Sequence, residues 1–522
     1  LPLPLKNGFD KDSEAEALRQ DVRVDCVEIP PDQQEQLEIG VQASQSGNFT
    51  KTTLDSGPYI NWGLRRVNEK LNVYGGSDNV SGDYNYTLDG SGVDVIIQDT
   101  GLQKDHPEWE DANGVSRFKE VDWYTESGIS GTQSSNHYRD YHGHGTHVAG
   151  TIAGKNYGFA KNADIYALKV AGLEGTGDTG GIPIADCFDV IKEWHKRKVS
   201  GTYTPTTVSY IPATGVMVIT LGNHNFEIGD KIRIAPGSLT FTCGKDNFAS
   251  NHSYPRSSGV PNAAGTDPYY NKDIEITSTT TTTITVNIGI SSDTSEHRFV
   301  SALSGAVEAT GDKRLLSKRP TVVNMSWGYT TNFVGISGGT YRGASWNGNT
   351  ARTEYGMVGR AGKHPIRVSS IDIDLEELIE AGVHVTISAG NTKQKIDVVG
   401  GTDYDNTYLQ YGVTRYYHRG GSPHSQNAHI VGNIDSTTVS NSGVILEQKS
   451  TSSETGPGVS IWAPGTNIMS SSSNISTGFT SDTYYFNNDF KQANISGTSM
   501  AAPHVTGAFG VLNQMWPYMD GE

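Results

Sequence analysis

Three short segments place a carboxylate, an imidazole and an alcohol where they could do chemistry. Asp99 follows the apolar run Val93-Asp94-Val95-Ile96-Ile97-Gln98, and His144 lies in Gly143-His144-Gly145-Thr146-His147-Val148-Ala149-Gly150. Ser499 lies in Ser496-Gly497-Thr498-Ser499-Met500-Ala501-Ala502-Pro503. A serine hydroxyl is a poor nucleophile near neutral pH unless a base removes its proton as it attacks. An imidazole, with an unperturbed pKa of about 6.5, can take that proton and return it. A carboxylate on the other ring nitrogen fixes the tautomer and stabilises the imidazolium. Taken alone, Ser499 reads as a plain helix N-cap; the two partner segments turn it into a candidate nucleophile.

These groups need elements to hold them. The run before Asp99 reads as a buried parallel strand. Ile165–Val170, Thr321–Met325 and Val383–Ile387 read as further strands of the same sheet. Between them, Ile184, Cys187, Phe188, Ile191 and Trp194 make one apolar helix face. Leu375, Leu378 and Ile379 make another, with Gly382 as the C′ residue that stops it. Met500–Met515 reads as a helix with Pro503 in its first turn, which sets Ser499 at the positive end of a helix dipole. Strands alternating with helices imply an α/β fold with a doubly wound parallel sheet, whose ligands bind at the carboxyl ends of the strands. Residues 200–317 break this rhythm with period-two alternation through Val216, Val218, Ile232, Ile234, Ile274, Ile276, Ile284 and Val286, predicting an inserted antiparallel β module. His224–Asp230 reads as the start of a hairpin within it.

In the order Asp, His, Ser, and in these local contexts, the three segments resemble the catalytic blocks of the subtilisin-like serine proteases (peptidase S8). Asn61-Trp62-Gly63-Leu64-Arg65-Arg66-Val67 is similar to the start of a proteinase-K-like mature enzyme. The resemblance is densest over residues 60–199 and 318–515. It implies a subtilisin-like fold and a serine endopeptidase acting through an acyl-enzyme, with Asp99, His144 and Ser499 as the triad. Asn391, in Ser388-Ala389-Gly390-Asn391, would donate to the oxyanion together with the Ser499 N–H. An extended polypeptide substrate would pair with Ser326-Trp327-Gly328 on one side and Gly175-Thr176-Gly177 on the other. Ala389 and Gly390 would form one wall of the first specificity pocket and Ser422-Pro423-His424 the opposite one. Trp327 and His424 are larger than the family's usual residues there, and Tyr329–Lys363 and Asp397–Gly421 are longer than usual.

The implied organisation is a prodomain-like tail and linker over 1–58, catalytic parts over 59–199 and 318–522, and the β module over 200–317. Glu16–Glu28 resembles the closing strand of an inhibitory prosegment, or is an exposed amphipathic strand. Ser238–Cys243 and His297–Ala302 resemble β modules of marine bacteriophage virion proteins, which implies attachment to virion proteins and an extracellular or virion-associated setting. A second reading keeps the protease fold as a catalytically dormant virion structural protein. The start at Leu1, and the 23 residues after Ser499, imply a processed product or a fragment.

Composition sets the bounds. The chain has 522 residues and a formal charge of −17, with no basic stripe to displace counterions from a nucleic acid. No run of 18 apolar residues occurs, so no membrane-spanning helix is expected. Cys26, Cys187 and Cys243 lack metal-ligand spacing, and any disulfide among them leaves one thiol over. Asp105, Glu108, Asp178 and Asp186 could bind calcium as in many subtilases, but acidic loop residues are generally just solvated. No metal site is assigned and no cofactor is required. His142, His147 and His504 read as packing residues.

Overall fold

The computed structural model describes residues 43–51, 59–69, 72, 74, 79–173, 179–200, 202–222, 224, 226, 228–258, 265–280, 282–310, 319–348, 354–357, 362–439 and 445–516. Glu16–Glu28, Cys26 and Gly175 lie outside them.

The central sheet contains β1 (Asp94–Asp99), β2 (Asp164–Lys169), β3 (Thr321–Met325), β4 (His384–Ser388), β5 (His429–Val439), β6 (Ile445–Lys449) and β7 (Ile461–Pro464). Its order is β6-β5-β4-β3-β1-β2, with β7 also pairing with β5. All pairs are parallel except β5 with β6. Every residue of β1 and β3 is buried, which is why these strands read as near-continuous apolar runs. Alternate side chains then serve opposite cores. Ile96, Val323 and Val385 pack with Phe188 and Ile191 of α2 (Ile184–Ser200) and Leu375 and Leu378 of α3 (Ser369–Glu380). Val95, Ile97 and Val322 pack on the other face with Val148 and Ile152 of α1 (His144–Ala153) and Met500 of α4 (Thr498–Met515). Helices cover both faces, as the alternating pattern requires. Gly382, at φ +93°, follows α3 and adopts the left-handed conformation expected of a C′ glycine.

Between α2 and β3 lies the antiparallel β module. One seven-stranded sheet runs Thr202–Tyr203, Val307–Thr310, Lys231–Ile234, Ile274–Thr279, Thr283–Asn287, Val216–Thr220 and Thr207–Ile211 in spatial order. A smaller sheet sets Leu239–Cys243 between Asn251–Tyr254 and His297–Ala302. Met217, Ile219, Ile232, Ile234, Ile276, Ile284 and Val286 build a core of the module's own. The strands on either side of residues 224–230 do not pair with each other. The strand before them pairs with 207–211 and 283–287, and the strand after them pairs with 274–275 and 307–310. Buried Phe226 anchors the connection in the module's core instead.

The module is tethered at the end of β1 opposite to Asp99. Lys198, near the end of α2, places Nζ 2.7 Å from Asp94 Oδ2, and Arg319, just before β3, places Nε 2.8 Å from Asp94 Oδ1. Arg319 also pairs with Asp164 at the start of β2.

The two long insertions near the C-terminal ends of β3 and β4 join each other. Ala344–Asn347, Ile336–Tyr341, Thr407–Gln410 and Val413–Tyr416 form one antiparallel sheet, with Phe333, Trp346, Met357, Tyr408 and Tyr417 packed together.

Close packing makes one position in α1 intolerant. A Cβ on Gly145 would lie 2.1 Å from the carbonyl oxygen of Gly101. Gly145→Ala is expected to destabilise the protein by about 2–3 kcal/mol, reversing the roughly 1 kcal/mol an alanine gains in an open helix. Urea unfolding of the two proteins measures the difference.

Candidate active site

Asp99 ends β1, His144 opens α1 and Ser499 is the second residue of α4. Ser326–Gly328 and Ala389–Asn391 follow β3 and β4, so all five positions lie at the carboxyl edge of the parallel sheet. His144 Nδ1 is 2.8 Å from Asp99 Oδ1; the Asp99 side chain is 1% exposed and that of His144 18%. That oxygen also accepts the Thr100 N–H at 2.7 Å. Burial pulls the His144 pKa down, but the charge and hydrogen bond of Asp99, with Asp140 beyond, hold it above the ordinary imidazole value.

Asp140 knots this dyad together. Its Oδ1 accepts from Thr100 Oγ1 (2.9 Å) and Gly143 N (2.7 Å), and its Oδ2 accepts from Thr146 N (2.8 Å) and Thr146 Oγ1 (2.6 Å). Thr100 Oγ1 in turn accepts from Gly145 N at 2.9 Å. One buried carboxylate thus satisfies orphan donors at the start of α1 and holds the residue after Asp99. Asp140 was not singled out from the sequence. Its signal was present as an Asp three residues before a glycine that leads into a helix.

Ser499 Oγ donates to the carbonyl of Ser326 at 3.0 Å, and among the described residues it makes no hydrogen bond to His144. Ser326 Oγ donates back to the Ser499 carbonyl at 3.0 Å and accepts from Asn324 Nδ2 at 2.9 Å. Asn391 turns its Oδ1 toward Thr498, accepting from N at 3.0 Å and Oγ1 at 3.3 Å. Among the described residues, no acceptor is bound to Asn391 Nδ2. Gly390 N donates to Thr498 Oγ1 at 3.1 Å, so β4's loop and the start of α4 are laced together. A cleft of about 400 Å³ opens here, lined by Ser326, Trp327, Gly328, Ala389, Gly390, Asn391 and Ser499 among others. Its outer wall comes from Tyr329, Thr330, Lys363 and Pro365, at the paired bases of the first insertion.

His424 is a correction. It does not line the cleft; Gly421 does, while the His424 ring is buried beside Gly420, with a pKa pushed down to about 3 by burial and then by Arg367. Trp327 does line the cleft, and its buried Nε1 has no hydrogen-bond partner among the described residues. The other motif histidines are packed. His147 Nε2 lies 3.0 Å from the Ile468 carbonyl, and His504 Nδ1 lies 2.7 Å from the Met500 carbonyl. Glu108 is buried and accepts from Tyr484 Oη and Asn156 Nδ2, both at 2.6 Å, while Asp186 accepts from Tyr124 Oη at 2.7 Å. Among the described residues no three His, Cys, Asp or Glu side chains converge as a metal site. Cys187 and Cys243 are buried, and Cys187 Sγ donates to the Ile182 carbonyl at 3.3 Å. No helix among the described residues is long and apolar enough to cross a membrane.

A parallel α/β sheet thus brings Asp99, His144 and Ser499 to its carboxyl edge from a strand and two helix N-termini. The Peptidase S8 (subtilase) family pattern matches residues 90–185 and 274–522, and the chain belongs to that family. It is 38% identical over 181 residues to a cuticle-degrading serine protease of Arthrobotrys oligospora, covering 34% of this chain and 39% of that protein. It is 37% identical over 210 residues to subtilisin-like protease 9 of Arthroderma otae, covering 40% of this chain and 44% of that one. These alignments span less than half the length of each relative. Among solved structures, a cold adapted subtilisin-like serine proteinase aligns over 88% of this chain and 86% of its own, at 18% identity and a TM-score of 0.39.

Replacing Asp140 by alanine leaves several buried donors orphaned. Asp140→Ala is expected to cost about 2–4 kcal/mol, more than a surface cap alone, as read by chemical denaturation.

Proposed function

We propose that the protein is a serine endopeptidase that hydrolyses peptide bonds through an acyl-enzyme. The observation that carries this reading is the Asp99–His144 hydrogen bond at 2.8 Å beside a cleft that holds Ser499 and Asn391. An extended substrate would lie along Ser326–Gly328, with one side chain in the cleft between Ala389–Gly390 and the Gly421 wall. Ser499 Oγ leaves the Ser326 carbonyl by rotation about its Cα–Cβ bond and attacks the scissile carbonyl while His144 Nε2 takes its proton. Asp99 keeps the imidazole in the tautomer that presents Nε2 and stabilises the imidazolium. The negative oxygen is met by the Ser499 N–H at the start of α4 and by Asn391 Nδ2. His144 returns the proton to the leaving amine, and water repeats the sequence to free the acid.

Further partners are part of the proposal: residues 16–28 as an inhibitory strand, and virion proteins met through residues 200–317. The module's separate core and its tether at the far edge of the sheet suit a docking role that leaves the cleft open. An extracellular setting is supported by the similarity to a protease described as cuticle-degrading. The rival reading is a dormant scaffold.

Fluorophosphonate labelling separates the two readings: an active enzyme is modified at Ser499 and a dormant one is not. Ser499→Ala is expected to abolish peptide cleavage with folding intact, and normal turnover in that variant would end the proposal. Because His144 must be neutral to act and its pKa is raised, kcat/KM should be full at alkaline pH. It should fall as the pH drops through a value above about 6.5. Asp99→Asn removes the raising charge, so that limb should move to lower pH while turnover drops about 10⁴-fold.

A further inference from the structure

The loop that carries Asn391 is clipped in place by Glu454, a side chain with no part in the chemistry above. Glu454 is fully buried and lies at the wall of the cleft that holds Ser499. Its Oε1 accepts from Thr392 N at 3.0 Å and Thr392 Oγ1 at 2.5 Å, and its Oε2 accepts from Gln394 N. Its own N–H donates to the Gly390 carbonyl at 3.0 Å. Bonds to Glu454 therefore bracket Asn391 on both sides. Gly390 sits at φ +110°, and a Cβ there would lie 2.9 Å from Glu454 Cγ, so the side chain also packs flat against the loop. Among the described residues no cation forms an ion pair with this carboxylate. Burial pushes its pKa up to about 7, against the opposing pull of the Thr392 and Gln394 donors and of Lys449. A carboxyl group held at that cost, where an apolar side chain would fill the space, points to a role in shaping the loop.

We propose that Glu454 is a positioning residue for the oxyanion-binding amide: as an acceptor-only group it orients the N–H groups of Thr392 and Gln394, and so the direction in which Asn391 Nδ2 faces Ser499. This rests on the endopeptidase reading. Thr498 fixes the Oδ1 end of the Asn391 amide, and Glu454 fixes the backbone that bears it. A carboxylate suits the task because all its lone pairs accept, whereas an amide in the same place would turn an N–H₂ toward an N–H or a hydroxyl.

The test compares Glu454→Gln in the wild-type and Asn391→Ala backgrounds at pH 8.5, where the carboxyl is ionised. In the wild type, kcat is expected to fall about 10–100-fold with KM changed less than about threefold, the signature of an interaction made in the transition state. In Asn391→Ala the same substitution is expected to change kcat less than about twofold, since the group it positions is gone. Thr392→Val, which deletes only the hydroxyl donor, should give a smaller loss in the same direction, and it serves if Glu454→Gln folds poorly. A readout independent of turnover is the Asn391 side-chain amide resonance in protein labelled with ¹⁵N-asparagine, assigned by its loss in Asn391→Ala. It is expected to shift in Glu454→Gln and in Thr392→Val. Equal kcat losses in both backgrounds, or an unmoved Asn391 resonance, would overturn the proposal. A wild-type protein that cleaves nothing would instead overturn the endopeptidase reading, and the resonance would still decide the role of Glu454.

Discussion

The site depends on a buried carboxylate that performs no chemistry. Asp140 accepts four hydrogen bonds, tying the end of β1 to the start of α1 and thereby setting Asp99 against His144. A strand end and a helix start have no intrinsic reason to meet at hydrogen-bonding distance. Donors left over at the helix terminus and the Thr100 hydroxyl supply that reason once one acceptor reaches both. Glycines complete the arrangement, because Gly145 lets the first turn of α1 lie directly on the Gly101 carbonyl.

The same logic recurs at Ser499. The start of α4 is joined to the loop after β4 through Thr498 and Asn391, and to the loop after β3 through reciprocal Ser326–Ser499 bonds. Backbone and short polar side chains make these joints, so little conformational freedom remains at the groups that face the cleft. The Ser499 hydroxyl rests on the Ser326 carbonyl at the mouth of that cleft.

What could be read from the chain alone follows from the range of the interactions involved. β1 and β3 were legible because burial on both faces leaves adjacent apolar residues, Val95–Ile97 and Val322–Val323, and α2 and α3 because their apolar residues recur at helical spacing. Asp99, His144, Ser499 and Asn391 were legible because each sits in a short segment whose neighbours are constrained by the same turn. Glu454 was not, since its partners Thr392 and Gln394 lie about sixty residues away and no local pattern marks it. His424 was misplaced for a related reason: the segments before it pair with each other through Ile336–Tyr341 and Thr407–Gln410, and no local pattern shows which residue after them reaches the cleft. The strands that flank residues 224–230 likewise find partners in distant sequence.

The clasp at Asp94 has a mechanical consequence. Lys198 and Arg319, the two feet of the β module, grip one carboxylate at the amino end of β1, while Asp99 occupies the other end of that strand. Load on an anchored module passes through the chain into α2 and β3, and the clasp couples it to the amino end of β1. There it is shared by every rung joining that strand to β2 and β3, and shearing all rungs at once is far harder than peeling an edge. β1, next to the edge strand β2, acts as a girder that holds Asp99 steady against such a load.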